Sequence, residues 1–189
     1  MPLSYPQPNW ETLWAPYDQP TYALVLKELK PSDIVLDIGA GDLRLTKQIS
    51  TYVNRVYAIE IDSRLVLHAR FEPPSNLILI EGDALTLTFP TDITCGILLM
   101  RHCTHYAAYA AKLKQAGATR LITNARWHMS VETVDLFVPR LTYAQIHFGW
   151  YACQCGTIGF KPGLAEAVTS ENIETVNEVR DCPACDQQH

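Results

Sequence analysis

The stretch Val35-Leu36-Asp37-Ile38-Gly39-Ala40-Gly41-Asp42-Leu43-Arg44 decides how the rest of the chain is read. A short apolar run ends in an acid and then in two glycines one residue apart, the pattern of a buried strand that turns sharply into a helix. Lacking a Cβ, Gly39 and Gly41 let the backbone turn tightly and let a ligand come close to it. A nicotinamide dinucleotide site wants a third glycine at position 44, where this chain has Arg44. Such a site also gives no reason for a carboxylate at Asp37, whereas a cationic ligand with an amino-acid end does.

Two further segments extend the pattern outward. Val56-Tyr57-Ala58-Ile59-Glu60-Ile61-Asp62 places Glu60 at a strand end, 23 residues after Asp37, where a carboxylate suits two ribose hydroxyls. Glu81-Gly82-Asp83-Ala84-Leu85 follows another apolar run and offers Asp83 as acceptor for an exocyclic amino group. Around these, strand-like runs at 34–38, 55–61, 77–80, 93–100 and 120–123 alternate with helical spacing at 43–50, 63–69 and 105–115, with Ser63 as a cap. That alternation predicts an α/β fold, a mostly parallel Rossmann-like sheet with helices on both faces. The runs 141–151 and 156–160, joined by Cys-Gln-Cys-Gly, predict an antiparallel C-terminal hairpin at the edge of the sheet. Five prolines in the first 20 residues forbid a regular helix there, while Trp10, Trp14 and Tyr17 supply apolar surface. Residues 1–20 are therefore read as a lid across the ligand mouth, with Asp18 capping a helix that stops before Pro31.

The strings Asp-Ile-Gly-Ala-Gly, Ala-Ile-Glu-Ile-Asp and Glu-Gly-Asp-Ala-Leu, in this order and spacing, resemble the class I S-adenosylmethionine-dependent methyltransferases. The similarity is greatest to the ribosomal RNA adenine dimethyltransferases, and it covers residues 31–100, roughly a third of the chain. Gly41-Asp42-Leu43-Arg44 also resembles a Gly-Asp-Gly-Arg variant of some protein-lysine methyltransferases. The resemblance implies S-adenosylmethionine as cofactor, with Asp37, Gly39, Ala40 and Gly41 at its methionine part, Glu60 and Ile61 at the ribose, and Asp83 and Ala84 at the adenine. Two positions depart from the family. Leu43 stands where a glycine is usual and is expected to crowd the cofactor or tilt the next helix. Leu99-Met100-Arg101-His102-Cys103 stands where the adenine dimethyltransferases carry an Asn-Leu-Pro-Tyr-like element.

Residues after the fourth strand border the place where an α/β sheet binds substrate. Arg101, His102 and His105 are accordingly the candidate catalytic residues, a histidine there being able to take a proton near neutral pH. A structural or helix-capping role serves each histidine as well, Cys103 reads as a packed thiol, and Trp127 and His128 are weaker candidates for the same rim. Methyl transfer needs chiefly alignment and desolvation, so no dedicated base is required.

Cys153, Cys155, Cys182 and Cys185 form two tight pairs that can supply four thiolates to a structural zinc. An iron–sulfur cluster uses the same ligands, and a redox pair at Cys182 and Cys185 is the lesser alternative. The chain divides on this reading into a domain at 1–163 and an acidic tail at 164–189 tied back by the metal. That tail carries Glu166, Glu171, Glu174, Glu178, Asp181 and Asp186 against Arg180, which accounts for the whole net charge of −5 over 189 residues.

The balanced body disfavours nucleic acid as partner, though not a local basic patch, and slightly favours a small-molecule or protein methyl acceptor. No run is long enough to cross a membrane and residues 1–10 lack a secretory pattern, which predicts a cytoplasmic protein. The expected function is methyl transfer to a nitrogen, oxygen or sulfur nucleophile. The alternatives are a non-catalytic interaction module on the cofactor fold, or an RNA methyltransferase.

Overall fold

The computed structural model describes residues 17–69, 74–128 and 130–185. The expected lid therefore falls, for residues 1–16, outside the described residues. Asp18 caps α1 (Gln19–Lys27) as expected, its carboxylate accepting from the Thr21 amide at 2.9 Å with a proline in the first turn. There follow β1 (Ile34–Ile38), α2 (Arg44–Ser50), β2 (Arg55–Glu60), α3 (Ser63–Ala69), β3 (Leu77–Glu81), β4 (Cys95–Leu98), α4 (Tyr106–Gln115), β5 (Arg120–Thr123) and β6 (Glu132–Asp135). The chain ends in β7 (Gly149–Cys153), β8 (Ile158–Lys161), α5 (Ser170–Glu174) and β9 (Val176–Val179).

Six strands form one sheet in the order β3-β2-β1-β4-β5-β6, parallel except for β6. Alternation along β1 sorts its core: Leu36 and Ile38 pack on one face with Leu98, Leu121 and the α4 residues Tyr109 and Leu113, while Val35 packs on the other with Ile97, Ile122, Val25 and Ile49. Both faces are thus covered, as the apolar runs require. Gly96 on β4 brings α4 close, because Leu113 occupies the space a Cβ would fill.

The C-terminal part corrects the expected hairpin. β7 and β8 do pair antiparallel, but they do not border the large sheet; with β9 they form a second sheet in the order β8-β7-β9, in which β9 runs parallel to β7. The edge of the large sheet is β6, whose Glu-Thr-Val-Asp alternation buries only Val134. The tail expected to be tied back by a metal is also held by backbone pairing, since β9 lies in the sheet and Leu141 exchanges backbone hydrogen bonds with Glu178 and Arg180. Two smaller corrections concern boundaries. The fourth strand is Cys95–Leu98, shorter than 93–100, and α3 is capped by Asp62 rather than Ser63, Asp62 accepting from the Arg64 amide at 2.9 Å. Among the described residues no helix is long and apolar enough to cross a membrane.

Leu43 neither crowds the crevice nor is exposed. It precedes α2 in the left-handed conformation, with φ 63°, and its fully buried side chain packs in the cluster of Tyr22, Val25 and Ile49. Glycine at this position relieves roughly 1–2 kcal/mol of backbone strain, whereas deleting a buried leucine side chain costs about 3–5 kcal/mol. Leu43→Gly is thus expected to destabilise the chain by roughly 2 kcal/mol in urea unfolding, and a gain in stability overturns this account.

Candidate active site

The strand order reverses between β1 and β4, which opens a crevice at their carboxyl ends. The Gly39–Ala40–Gly41 turn borders it, and both glycines have positive φ, 73° and 59°. The amides of Gly39 and Ala40 donate to the Ile59 carbonyl at 2.9 and 3.0 Å, so the loop leans from β1 onto β2. Met100 reaches 3.3 Å from where a Gly39 Cβ would stand, which closes the β4 side.

Glu60, only 6% exposed, organises the next wall. One carboxylate oxygen accepts from the Gly41 amide at 2.7 Å and the other from the Asp62 amide at 2.8 Å. Each oxygen has a further lone pair, so the pair can still accept from two hydroxyls. Asp37 is 4% exposed and accepts from the Thr46 hydroxyl at 2.6 Å. Burial, with the Glu60 charge adding to it against the Thr46 bond, raises its carboxyl to about 6. Asp83 accepts from the Leu85 amide at 2.8 Å, and the loop behind it is pinned by Lys112 of α4, whose Nζ donates to the carbonyls of Ala84, Leu85 and Leu87 at 2.6, 2.8 and 2.7 Å. Burial pulls the Lys112 ammonium below its ordinary range, against the opposing charge of Asp83.

Each of the three candidate catalytic residues has a neighbour of its own. Arg101 lies 4.9 Å over the ring of Tyr17, whose hydroxyl accepts from the Arg101 amide at 3.3 Å. His102 turns toward His128, ring to ring at 5.1 Å, and His105 precedes α4 with its ring 6.4 Å from Tyr109. Trp127 and His128 line a cleft of about 850 Å³ with Cys103, Arg126 and Ile158, and Arg101, His102 and His105 are not among its lining residues. Asn124, which sequence reading passed over, is 2% exposed and its Oδ1 has no hydrogen-bond partner among the described residues. Arg126 was also missed. The residue is 5% exposed, and its guanidinium bridges Glu132 on β6 to Glu178 on β9, joining the two sheets.

The four cysteines do come together. Their sulfurs all lie within 4.8 Å of one another, and Cys153–Cys185, Cys155–Cys182 and Cys182–Cys185 are 3.6, 3.7 and 3.7 Å apart. A tetrahedral ion with 2.3 Å bonds to sulfur separates its thiolates by about 3.8 Å, so the set fits one ion. In an iron–sulfur cluster the four thiolates are spread over two or more irons and do not all stand this close.

With this geometry in view, the model of the family described as "Ribosomal RNA adenine dimethylase" matches residues 21–142. The chain belongs to that family. It is thus a member of the class I S-adenosylmethionine-dependent methyltransferases. A probable ribosomal RNA small subunit methyltransferase A of Methanosarcina barkeri is 49% identical over 65 residues, 33% of this chain and 23% of that protein. Its counterpart in Thermococcus onnurineus is 50% identical over 64 residues, 33% of this chain and 24% of that protein. The chain spans about a quarter of the length of these relatives. The crystal structure of a dimethyladenosine transferase from Plasmodium falciparum shares the fold, with TM-score 0.50 and 24% identity over 56% of this chain and 41% of that one. The matched residues of the family stop before β7, so the cysteine-bearing sheet lies beyond them.

Proposed function

We propose that this protein transfers a methyl group from S-adenosylmethionine to a base nitrogen of RNA, and that its four cysteines hold a structural zinc ion. The observation that carries the reading is the register of Gly39–Gly41, Glu60 and Asp83 around one crevice in a chain of the ribosomal RNA adenine dimethylase family. The RNA acceptor replaces the small-molecule or protein acceptor favoured by charge balance, because the relatives are named for ribosomal RNA.

When bound, the cofactor supplies a methyl carbon on a sulfonium, open to in-line displacement by a nucleophile. The residues of the chain bind and orient. Asp37 offers a buried carboxylate to the amino-acid end, Glu60 offers two acceptors to the ribose, and the bare Gly39 and Gly41 backbone leaves room beside them. Met100 and Arg101 close the acceptor side against water, which strengthens these contacts. A base nitrogen that has taken a methyl group sheds its proton readily, so catalysis by positioning needs no dedicated base.

Calorimetric titration with S-adenosylhomocysteine, followed by transfer of labelled methyl groups to ribosomal RNA, tests the reading. One-to-one binding that Glu60→Ala abolishes, with label in the RNA, supports it. Label in protein or small molecules instead restores the earlier preference, and absence of cofactor binding by the folded protein favours an interaction module.

Two variants probe the binding residues. The Asp37 carboxyl titrates near 3.8 in an unfolded chain and at about 6 here. Its contribution to stability is therefore full below about pH 3.8 and is lost as pH rises through 6, where ionisation costs on the order of 3 kcal/mol. Asp37→Asn is expected to raise the melting temperature at pH 7 and to weaken S-adenosylhomocysteine binding at least tenfold, and lower stability at pH 7 contradicts the argument. Lys112→Met strands three carbonyls around Ala84 and is expected to reduce cofactor affinity about fivefold or more. Unchanged affinity removes Lys112 from the positioning of that loop.

A further inference from the structure

The second sheet has two unlike faces. Cys153, Tyr151 and Val179 pack on one of them around the cysteine cluster. The register Phe160↔Trp150↔Val176 puts these three side chains together on the other, and all three are partly exposed, at 39%, 37% and 38%. Trp150 meets Phe160 at 5.2 Å and Phe160 meets Phe148 at 5.1 Å, each ring edge to the next ring's face. At its other side Trp150 meets Trp127 at 5.9 Å, and Trp127 lines the 850 Å³ cleft beyond β5. A row of four rings thus runs from the outer surface of the small sheet into the cleft at the carboxyl end of the large one.

We propose that this row is a stacking platform that receives unpaired bases of the RNA acceptor and leads one of them toward the methyl-transfer crevice. The inference rests on the RNA reading above. Two observations select a base as the occupant. The row is continuous with the cleft at the strand ends where a methyl acceptor has to enter. Its lining is aromatic, and an exposed ring face suits the π-face of any base, whereas aliphatic peptide side chains are better matched by an aliphatic groove. Among the described residues the face carries no basic residue for phosphates: its remaining members in register are Ala152, Ile158 and Glu178, Arg126 is neutralised by Glu132 and Glu178, and Lys161 is turned away to the Tyr143 carbonyl. Recognition here works through stacking rather than counterion release, which reconciles an RNA acceptor with the net charge of −5.

The test is fluorescence anisotropy of a labelled single-stranded oligoadenylate with the full chain, in saturating S-adenosylhomocysteine, for the wild type and Trp150→Leu, Trp150→Phe and Phe160→Leu. Leucine keeps apolar volume and the fold but loses the π-face. The platform predicts about tenfold or greater loss of affinity in Trp150→Leu and near wild-type affinity in Trp150→Phe. It predicts unchanged S-adenosylhomocysteine binding in all three variants, and a shallow dependence of affinity on salt between roughly 50 and 200 mM. RNA bound equally well by Trp150→Leu overturns the platform and leaves the RNA acceptor standing. Cofactor binding without any RNA binding by the wild type overturns both, and leaves only the cofactor assignment.

Discussion

Arg126→Met is expected to destabilise the docking of the small sheet on the large one by about 3–5 kcal/mol, the range for removing one partner from a buried ion pair. The guanidinium uses its planar fork twice. Nε and Nη2 donate to the two Glu132 oxygens at 2.8 and 2.7 Å, and Nη1 and Nη2 donate to those of Glu178 at 3.0 and 2.8 Å. Its side chain is 2% exposed, against about a fifth for each carboxylate, so its removal leaves Glu132 without this partner and Glu178 with only the longer contact to Arg140 at 3.7 Å. Methionine fills much of the volume but neutralises nothing. Hydrogen exchange should speed up at the β7 and β9 amides well before it does at β1 and β4, because the arginine spans the junction and not the parallel core. The triple variant Arg126→Met, Glu132→Gln, Glu178→Gln should recover much of the loss, since the charges that lose their partner are then gone. Equal protection of β7 and β9 in the wild type and Arg126→Met contradicts the assigned role.

The parallel half of this fold was readable because its strands are buried on both faces and its turns need unusual residues. Runs such as Val35–Ile38 and the Gly39 and Gly41 turn leave few other solutions, and the acids at Asp37, Glu60 and Asp83 fall at strand ends by the same periodicity. The rest was harder for physical reasons. β6 and β9 are four-residue strands with one buried side chain each, so their alternation is too weak to mark them against a loop. Arg126 and Glu178 are 52 residues apart, and nothing local to either signals a pairing that only the packing of two sheets creates. Leu43 misled in a different way. It occupies a position that backbone strain assigns to glycine, and only the cluster of Tyr22, Val25 and Ile49 explains why a leucine is worth that strain. The cysteines were legible as a set because four thiols in two close pairs carry their own chemistry, wherever the strands between them lie.

Loss of the metal should have the larger effect, and a confined one. Purified protein is expected to carry about one equivalent of zinc, and Cys182→Ser, or a strong chelator, should unfold β7, β8 and β9 while the six-stranded sheet stays folded. The apolar core of the small sheet is thin: Ile146, Tyr151 and Val179 are its buried members apart from Cys153 and Cys182 themselves. So few side chains leave most of the ordering of this sheet to the bonds made by sulfur, and a structural zinc contributes about 10–16 kcal/mol to folding. Arg126 alone does not replace that, because an ion pair across a junction needs a folded partner on each side. Metal analysis, circular dichroism and exchange at the Tyr151 and Val179 amides report the local unfolding, while S-adenosylhomocysteine titration reports the large sheet. Since Gly41, Glu60 and Asp83 all stand on the parallel sheet, cofactor affinity should change less than twofold when the metal is removed. The acceptor platform at Trp150 should vanish with it. Cofactor binding and RNA binding lost together would mean that the small sheet props up the crevice directly, and both retained would mean that sulfur holds nothing there.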